Sequence, residues 1–177
     1  ECEWIEFDLA KPKIEELPYA DVLFHFAGQT SVYHAKDNVL DDLSVNVIGF
    51  LHVLELLKKQ STVPFVVYAG TATEVGLTES DLIIDESHCD RPITFYDISK
   101  LTAENYLLQF VREGWVKGCS LRPCNVYGGM KKGQNIERGV IDIVFQKSLR
   151  GEPLQLFGDG NYLRDYIHLD DVVDAFY

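Results

Sequence analysis

Two short runs of the chain, "DVLFHFAG" at 21–28 and "PFVVYAG" at 64–70, are almost unbroken in apolar residues, rich in Val and Phe, and end in Gly. Runs of this kind predict central strands of a parallel sheet, covered on both faces. Between them, over 41–60, apolar residues fall at spacings of three and four (Leu43, Val47, Phe50, Leu51, Leu54, Leu57), the stripe of a helix packed on one side. Strand, helix and strand make a βαβ unit. The rhythm continues with a strand in "ECEWIEFDL" at the start, a helix over 96–113, a strand in "GCSLRP" at 118–123 and a helix over 139–151. A short strand and turn in "EPLQLFGDG" and the beginning of a helix in "DDVVDAFY" follow. The pattern predicts an α/β fold with an open, doubly wound, mostly parallel sheet. Segments 70–95 and 123–138 are long polar loops leaving strand ends, where ligands bind in such sheets.

Composition narrows the function classes. The formal charge of −12, from 28 acidic against 16 basic residues, disfavours nucleic acid as a partner, because phosphate backbones are held by clustered cations. No apolar run has the length needed to cross a bilayer, and the first residues lack the basic start and apolar stretch of a signal peptide, so a cytoplasmic protein without a membrane partner is expected. Cys2, Cys89, Cys119 and Cys124 show no CxxC spacing and no accompanying His pattern, so no metal is expected and the thiols read as free.

The chemistry lies in "TFYDISK" at 94–100. Tyr96 and Lys100 are four apart, on one face of a helix and one turn from each other, an arrangement open to an exposed helix surface as well as to catalysis. Its context decides. In order, "FDL", "HFAG", "VNVIGFLHVLE", "VVYAGTATEVG", "YDISK", "LRPCNVYG" and "GDGNYLRDYIHLDDVV" resemble the motifs of the extended short-chain dehydrogenase/reductases, in particular the NAD-dependent epimerase/dehydratase group acting on nucleotide sugars. The resemblance runs through nearly the whole chain and implies a Rossmann-like fold. Residues 1–123 would form a partial NAD(P)-binding domain and 124–177 part of a small C-terminal substrate-binding region, packed as one unit.

By that resemblance Tyr96 is the acid/base, Lys100 tunes it and holds the nicotinamide ribose, and the Thr71 hydroxyl bonds the reacting oxygen. A phenol with a reference pKa of about 10 is mostly in the wrong state for a base, and lowering it by about three units requires roughly 4 kcal/mol. The ammonium and a cationic nicotinamide are expected to supply that. Asp8 corresponds to the acid that accepts a hydrogen bond from the adenine amino group, with Leu9 beside it. Ala27 and Gly28 let backbone approach the pyrophosphate, and Asn46 supports the active-site backbone. Pro123, Asn125 and Val126 belong to the stretch between nicotinamide and substrate, and Arg164 matches the arginine that clamps the substrate diphosphate. His25 and His168 read as packed or hydrogen-bonded residues, and Cys124 as a second acid/base only for epimerisation through an enolate.

Two departures matter. The family's opening GxxGxxG turn is absent, and "GGMKKG" at 128–133 does not replace it, so the chain, which starts in a predicted strand and stops in a helix, reads as a piece of a longer protein. Sugar 4,6-dehydratases carry Asp-Glu directly after the catalytic Thr; here Ala72 and Thr73 stand there, with Glu74 displaced by one. The expectation is a nucleotide-sugar epimerase using NAD, with NADP as the alternative cofactor, in a possible homodimer. Its rivals are a 4-keto nucleotide-sugar reductase and a non-catalytic nucleotide-binding homologue.

Overall fold

The computed structural model describes residues 4–11, 14–77, 83–129, 139–156, 158–161 and 163–177. Cys2, part of the predicted loops and Phe157 of the predicted strand in 152–160 lie outside them. The chain divides into two compact units, Glu1–Arg122 and Pro123–Tyr177.

In the first unit β1 (Val22–His25), β2 (Phe65–Ala69) and β3 (Lys117–Leu121) form a parallel sheet in the order β1-β2-β3. Register pairs His25 with Tyr68 and Tyr68 with Ser120, so the three strands finish together. Helix α1 (Val32–Asp37) follows β1, and then a continuous helical run is built from α2 (Val39–Leu43), a π-helical turn at Ser44–Gly49 and α3 (Phe50–Leu57). The long helix α4 (Phe95–Arg112) precedes β3. Phe50, Val53, Leu54 and Leu57 of the first run meet Ala103, Leu107 and Phe110 of α4 over Val66 and Tyr68 of β2, and this is the core.

Three predicted elements are corrected. Residues 4–9 form no strand among the described residues: the Asp8 carboxylate accepts from the Ala10 amide at 2.9 Å, turning the chain. The run 21–28 is strand only at Val22–His25; among the described residues it lies at the edge of the sheet, the helices pack on the face that carries Val66 and Tyr68, and Phe24 and Phe65 are about 40% exposed. Residues 152–156 take no regular secondary structure. The second unit instead builds its parallel pair from β4 (Asn125–Tyr127), inside a predicted loop, and β5 (Tyr166–His168), with α5 (Val140–Leu149) and α6 (Leu169–Phe176).

Candidate active site

β2 ends at Ala69, and two residues later Thr71 caps a single 3₁₀ turn, Ala72–Val75. Helix α4 starts beside it because Thr94 and Asp97 form a reciprocal capping box: the Thr94 hydroxyl accepts from the Asp97 amide and the Asp97 carboxylate from the Thr94 amide, both at 3.1 Å. That fixes Tyr96 in the first helical turn and Lys100 one turn on. The Lys100 ammonium is buried, donates to the Ala69 carbonyl at 2.5 Å and lies 4.2 Å from the centre of the Tyr68 ring. The Thr71 hydroxyl is near enough to Tyr96 to draw the phenol down. Hydroxyl, phenol and ammonium therefore gather where the strands of the first sheet finish.

The expected lowering of the phenol is not what these residues produce. Burial pushes Tyr96 up to about 12, the carboxylates of Glu74, Asp97 and Asp42 push the same way, and the Thr71 hydroxyl draws it back only in part. Burial likewise pulls the Lys100 ammonium down to about 8 against the attraction of Glu74, Asp42 and Glu104. The chain's own groups thus hold Tyr96 as a proton donor.

Asn46 sits in the π-helical turn, a geometry that recurs at functional sites, and its buried amide is fully engaged. Its oxygen accepts from the Gln29 amide at 2.8 Å; its nitrogen is shared among the Gln29 carbonyl, Asp42 and Ser99 of α4. The loop after β1 is thereby tied to α4. A Cβ at Gly28 would crowd this clamp, 3.0 Å from the Asn46 oxygen. Ala27 and Gly28 are exposed at the end of β1. Gly49 lets Leu9 press against the helix, because a Cβ would meet the Leu9 carbonyl at 2.7 Å; Asp8, beside it, is exposed.

Glu74 settles its own role by direction. A 3₁₀ turn advances about 120° per residue, so displacement by one position turns the carboxyl from the cleft to the interior. It is fully buried, accepts from the Thr71 amide at 2.8 Å, and its other oxygen lies 3.2 Å from Nε of Arg122. The Arg122 Nε–H is aimed instead at Glu104, 2.9 Å away, so the contact with Glu74 is an ion pair without a hydrogen bond. Arg122 also grips Asp90 with both terminal nitrogens, at 2.6 and 2.9 Å. One guanidinium faces three carboxylates, and burial, then Glu104, raise the Glu74 carboxyl to about 7.

A carboxyl raised on folding contributes stability that is complete below its unfolded value and is lost as pH rises through its folded one. Glu74→Gln is therefore expected to gain on the wild type between about pH 4.5 and 7, reaching about 1 to 3 kcal/mol at pH 8. Urea midpoints of both proteins across pH 5 to 8 measure this, and an offset independent of pH would refute it. Buried His25, held down at about 4 by burial and by Lys100, has the opposite sign and is common to both proteins.

His25 packs against the rings of Phe50 and Tyr68, 4.3 and 5.9 Å between centroids, and His168 caps α6 by accepting from the Asp170 amide at 3.2 Å; both are structural, as expected. In the second unit Pro123 opens the chain toward Asn125, whose side chain donates to the Asp165 carbonyl at 2.9 Å, and Val126 is partly exposed in β4. Arg164 is exposed on the approach to β5 and donates to the Leu163 carbonyl at 2.9 Å. Burial and Asp165 raise the Cys124 thiol, which disfavours thiolate chemistry there. Among the described residues no cluster of His, Cys, Asp or Glu is arranged to hold a metal ion, and no helix is long and apolar enough to cross a membrane.

Sequence reasoning missed Thr73 and Asp97: the Thr73 hydroxyl donates to Asp97 at 2.6 Å and lies 3.1 Å from the Thr71 hydroxyl. The Thr-x-x-Asp spacing at 94–97 marks the cap and was the available signal.

A family model described as the NAD dependent epimerase/dehydratase family matches residues 1–177. The UDP-glucose 4-epimerase of Mycolicibacterium smegmatis is 34% identical over 88% of this chain and 49% of its own length. The GDP-6-deoxy-D-mannose reductase of Pseudomonas aeruginosa is 33% identical over 91% of this chain and 53% of its own. Among solved structures, the Thermus thermophilus UDP-glucose 4-epimerase complex with NAD superposes with a TM-score of 0.76 at 30% identity, covering 88% of this chain and 51% of that one. The chain spans about half the length of the curated relatives it matches.

Proposed function

Because the chain belongs to the NAD dependent epimerase/dehydratase family, we propose that the complete protein carrying it is a nucleotide-sugar epimerase that works with NAD, NADP being the alternative. The observation that carries this reading is the meeting of Thr71, Tyr96 and Lys100 at the ends of the strands, together with a Glu74 carboxyl turned inward, away from a dehydratase's position. Tyr96 takes the proton of a sugar hydroxyl as its carbon is oxidised and returns it on reduction, while the Thr71 hydroxyl bonds the same oxygen. Bound NAD supplies reversible hydride acceptance. Lys100 and Tyr96 serve the nicotinamide side, with Pro123 and Val126 of the second unit. Asp8, Leu9, Ala27, Gly28 and Asn46 serve the rest of the dinucleotide; the exposed backbone at Gly28, where a side chain would strike Asn46, suits close approach of a pyrophosphate. Asn125 and Arg164 bind the nucleotide-diphosphate sugar, Arg164 providing a local cation in a strongly acidic chain.

Homodimerisation through the α2–α3 run and α4 belongs to the same proposal, and exposed Leu40, Leu43, Ile98 and Tyr106 supply apolar surface on those helices. So does a cytoplasmic location, which the free thiols of Cys89, Cys119 and Cys124 support.

A second reading has its own observation. A Tyr96 held at about 12 is an acid at rest, the state that reduction of a 4-keto nucleotide sugar needs first. Incubating the complete protein with UDP-, CDP-, GDP- and dTDP-sugars separates the two. Interconversion without net change in reduced-nicotinamide absorbance is expected of the epimerase, and stoichiometric consumption with a 4-keto sugar identifies the reductase. Failure of both leaves the catalytic reading without support.

A further inference from the structure

Asp42 is a carboxylate 1% exposed on α2, and the donors that reach its Oδ1 are neutral: the side-chain amide of Gln29 at 2.8 Å and that of Asn46 at 3.0 Å. An ionised carboxylate accepts and cannot donate, so both amides must turn their nitrogen to it and their oxygen away. For Asn46 the oxygen turned away meets the Gln29 backbone N–H, at 2.8 Å. The other partners of this amide agree: the Gln29 carbonyl accepts from its nitrogen at 3.1 Å, and Ser99, whose hydroxyl donates to the Tyr96 carbonyl at 2.9 Å, accepts at 3.2 Å. With the amide reversed, its oxygen would face the Asp42 carboxylate and the Gln29 carbonyl, and its nitrogen would face the Gln29 N–H. For the Gln29 side chain the oxygen turned away accepts from the Ser31 amide, and Ser31 caps α1. One buried carboxylate thus sets two amides, and these hold the chain from Gln29 to Ser31. Gly28 adjoins the same clamp.

From this geometry we infer that Asp42 is a positioning residue of the cofactor edge: acting through Asn46 and Gln29, it fixes the turn after β1 in the shape that takes the dinucleotide. The fixed turn follows from hydrogen-bond direction alone; that its ligand is the pyrophosphate of NAD rests on the function proposed above. The carboxylate bonds the two side chains, and its hold on the Gln29 N–H passes through the Asn46 amide. A turn ordered in advance spares the cofactor the cost of ordering it. Without the acceptor at position 42, both amides lose the partner that sets their direction, and the Gln29 N–H is left open to water for more of the time. Asp42 also acts through its charge on Tyr96 and Lys100, so turnover is not the measure of its positioning role.

The experiment uses the complete protein and compares Asp42→Leu, which removes the acceptor, with Asp42→Asn, which keeps an oxygen able to accept from both amides. Both remove the charge, so a difference between them separates the hydrogen bonds from the field at Tyr96 and Lys100. Hydrogen exchange of the Gln29 backbone amide, followed by NMR without cofactor, is expected to quicken by on the order of tenfold in Asp42→Leu, the worth of one hydrogen bond, while the amides of β2 keep their rates. In Asp42→Asn it is expected to stay within about threefold of the wild type. The dissociation constant for NAD, from titration calorimetry, is expected to rise about tenfold in Asp42→Leu and to return toward the wild-type value in Asp42→Asn. Should leucine prevent folding, Asp42→Ala carries the same expectations. A Gln29 amide unmoved in the acceptor-free variant, one that quickens only together with β2, or a loss that Asp42→Asn shares in full overturns the inference, as does an unchanged NAD affinity beside a loosened amide. A wild type that binds no NAD fails the function proposed above instead, and the exchange rates still decide whether Asp42 sets the turn.

Discussion

Arg122→Ala is expected to cost the first unit about 3 kcal/mol of stability at neutral pH, the largest loss we expect from any single polar side chain. Asp90, Glu104 and Glu74 all face this guanidinium, and removing it leaves three carboxylates against one another, with Lys100 acting on Glu74. Breaking a buried ion pair by deleting one partner typically costs about 3 to 5 kcal/mol, because the surviving charge stays desolvated. Arg122 and Asp90 are each about a quarter exposed, so solvent screening places the expected value at the lower end. The arginine remains charged throughout, its hydrogen bonds to Asp90 and Glu104 raising it further. The deficit should therefore shrink at acid pH, where Glu74, raised to about 7, takes up its proton and needs no counter-charge. Urea denaturation at pH 7.5 and pH 5 tests both parts: a loss under 1 kcal/mol, or one that grows on acidification, removes the cluster from the account of stability. Glu104→Gln added to Arg122→Ala should recover part of the loss, since the residues share one network.

That cluster also shows where a sequence stops being legible. Arg122, Glu104, Asp90 and Glu74 have no local spacing that announces them; they meet because β3, α4 and the loop between β2 and α4 end in one place. The elements themselves were plain wherever a single face or both faces are buried. β2 is an unbroken apolar run, and α4 carries Ala103, Leu107 and Phe110 at three and four apart. Where an element is short, the period has no length in which to appear. The three residues of β4 and of β5 include Asn, Tyr and His, and α1 is six residues with one buried Ala. The π-helical turn at Ser44–Gly49 was hidden for a different reason: one wider turn shifts the apolar stripe too little to disturb spacings of three and four.

The candidate site divides in the same way. Thr71, Tyr96 and Lys100 were found through ordered motifs, and the structure brings them together. What the motifs did not carry is their electrostatic state. An ammonium four residues from a phenol suggests a lowered pKa, yet the Lys100 ammonium is committed to the Ala69 carbonyl and the Tyr68 ring, while Glu74, Asp97 and Asp42 set the field at Tyr96. Three of the nearby carboxylates come from separate stretches of chain. Their sum on one phenol is a property of the fold.

Tyr96→Phe is expected to lower kcat of the complete protein by about 10² to 10⁴, the range for losing a positioned acid/base. KM should change little, since the phenol's work is on the proton in the transition state and the ring remains to fill its place. Stability should fall by no more than about 1 kcal/mol, the worth of one neutral hydrogen bond. The size of the effect follows from the state described here. Bringing Tyr96 from about 12 to a neutral midpoint calls for on the order of 7 kcal/mol of phenolate stabilisation that the chain's own residues do not provide. In the oxidising direction that deficit has to be met by the charges of the filled site; in the reducing direction Tyr96 donates as it stands. Tyr96→Phe should accordingly impair both directions, while the unsubstituted protein loses reductive turnover only at alkaline pH, where the phenol ionises. Steady-state rates in both directions, with the thermal midpoint as control for folding, decide the matter. A variant that keeps more than a tenth of kcat in either direction would show that some other group carries the proton.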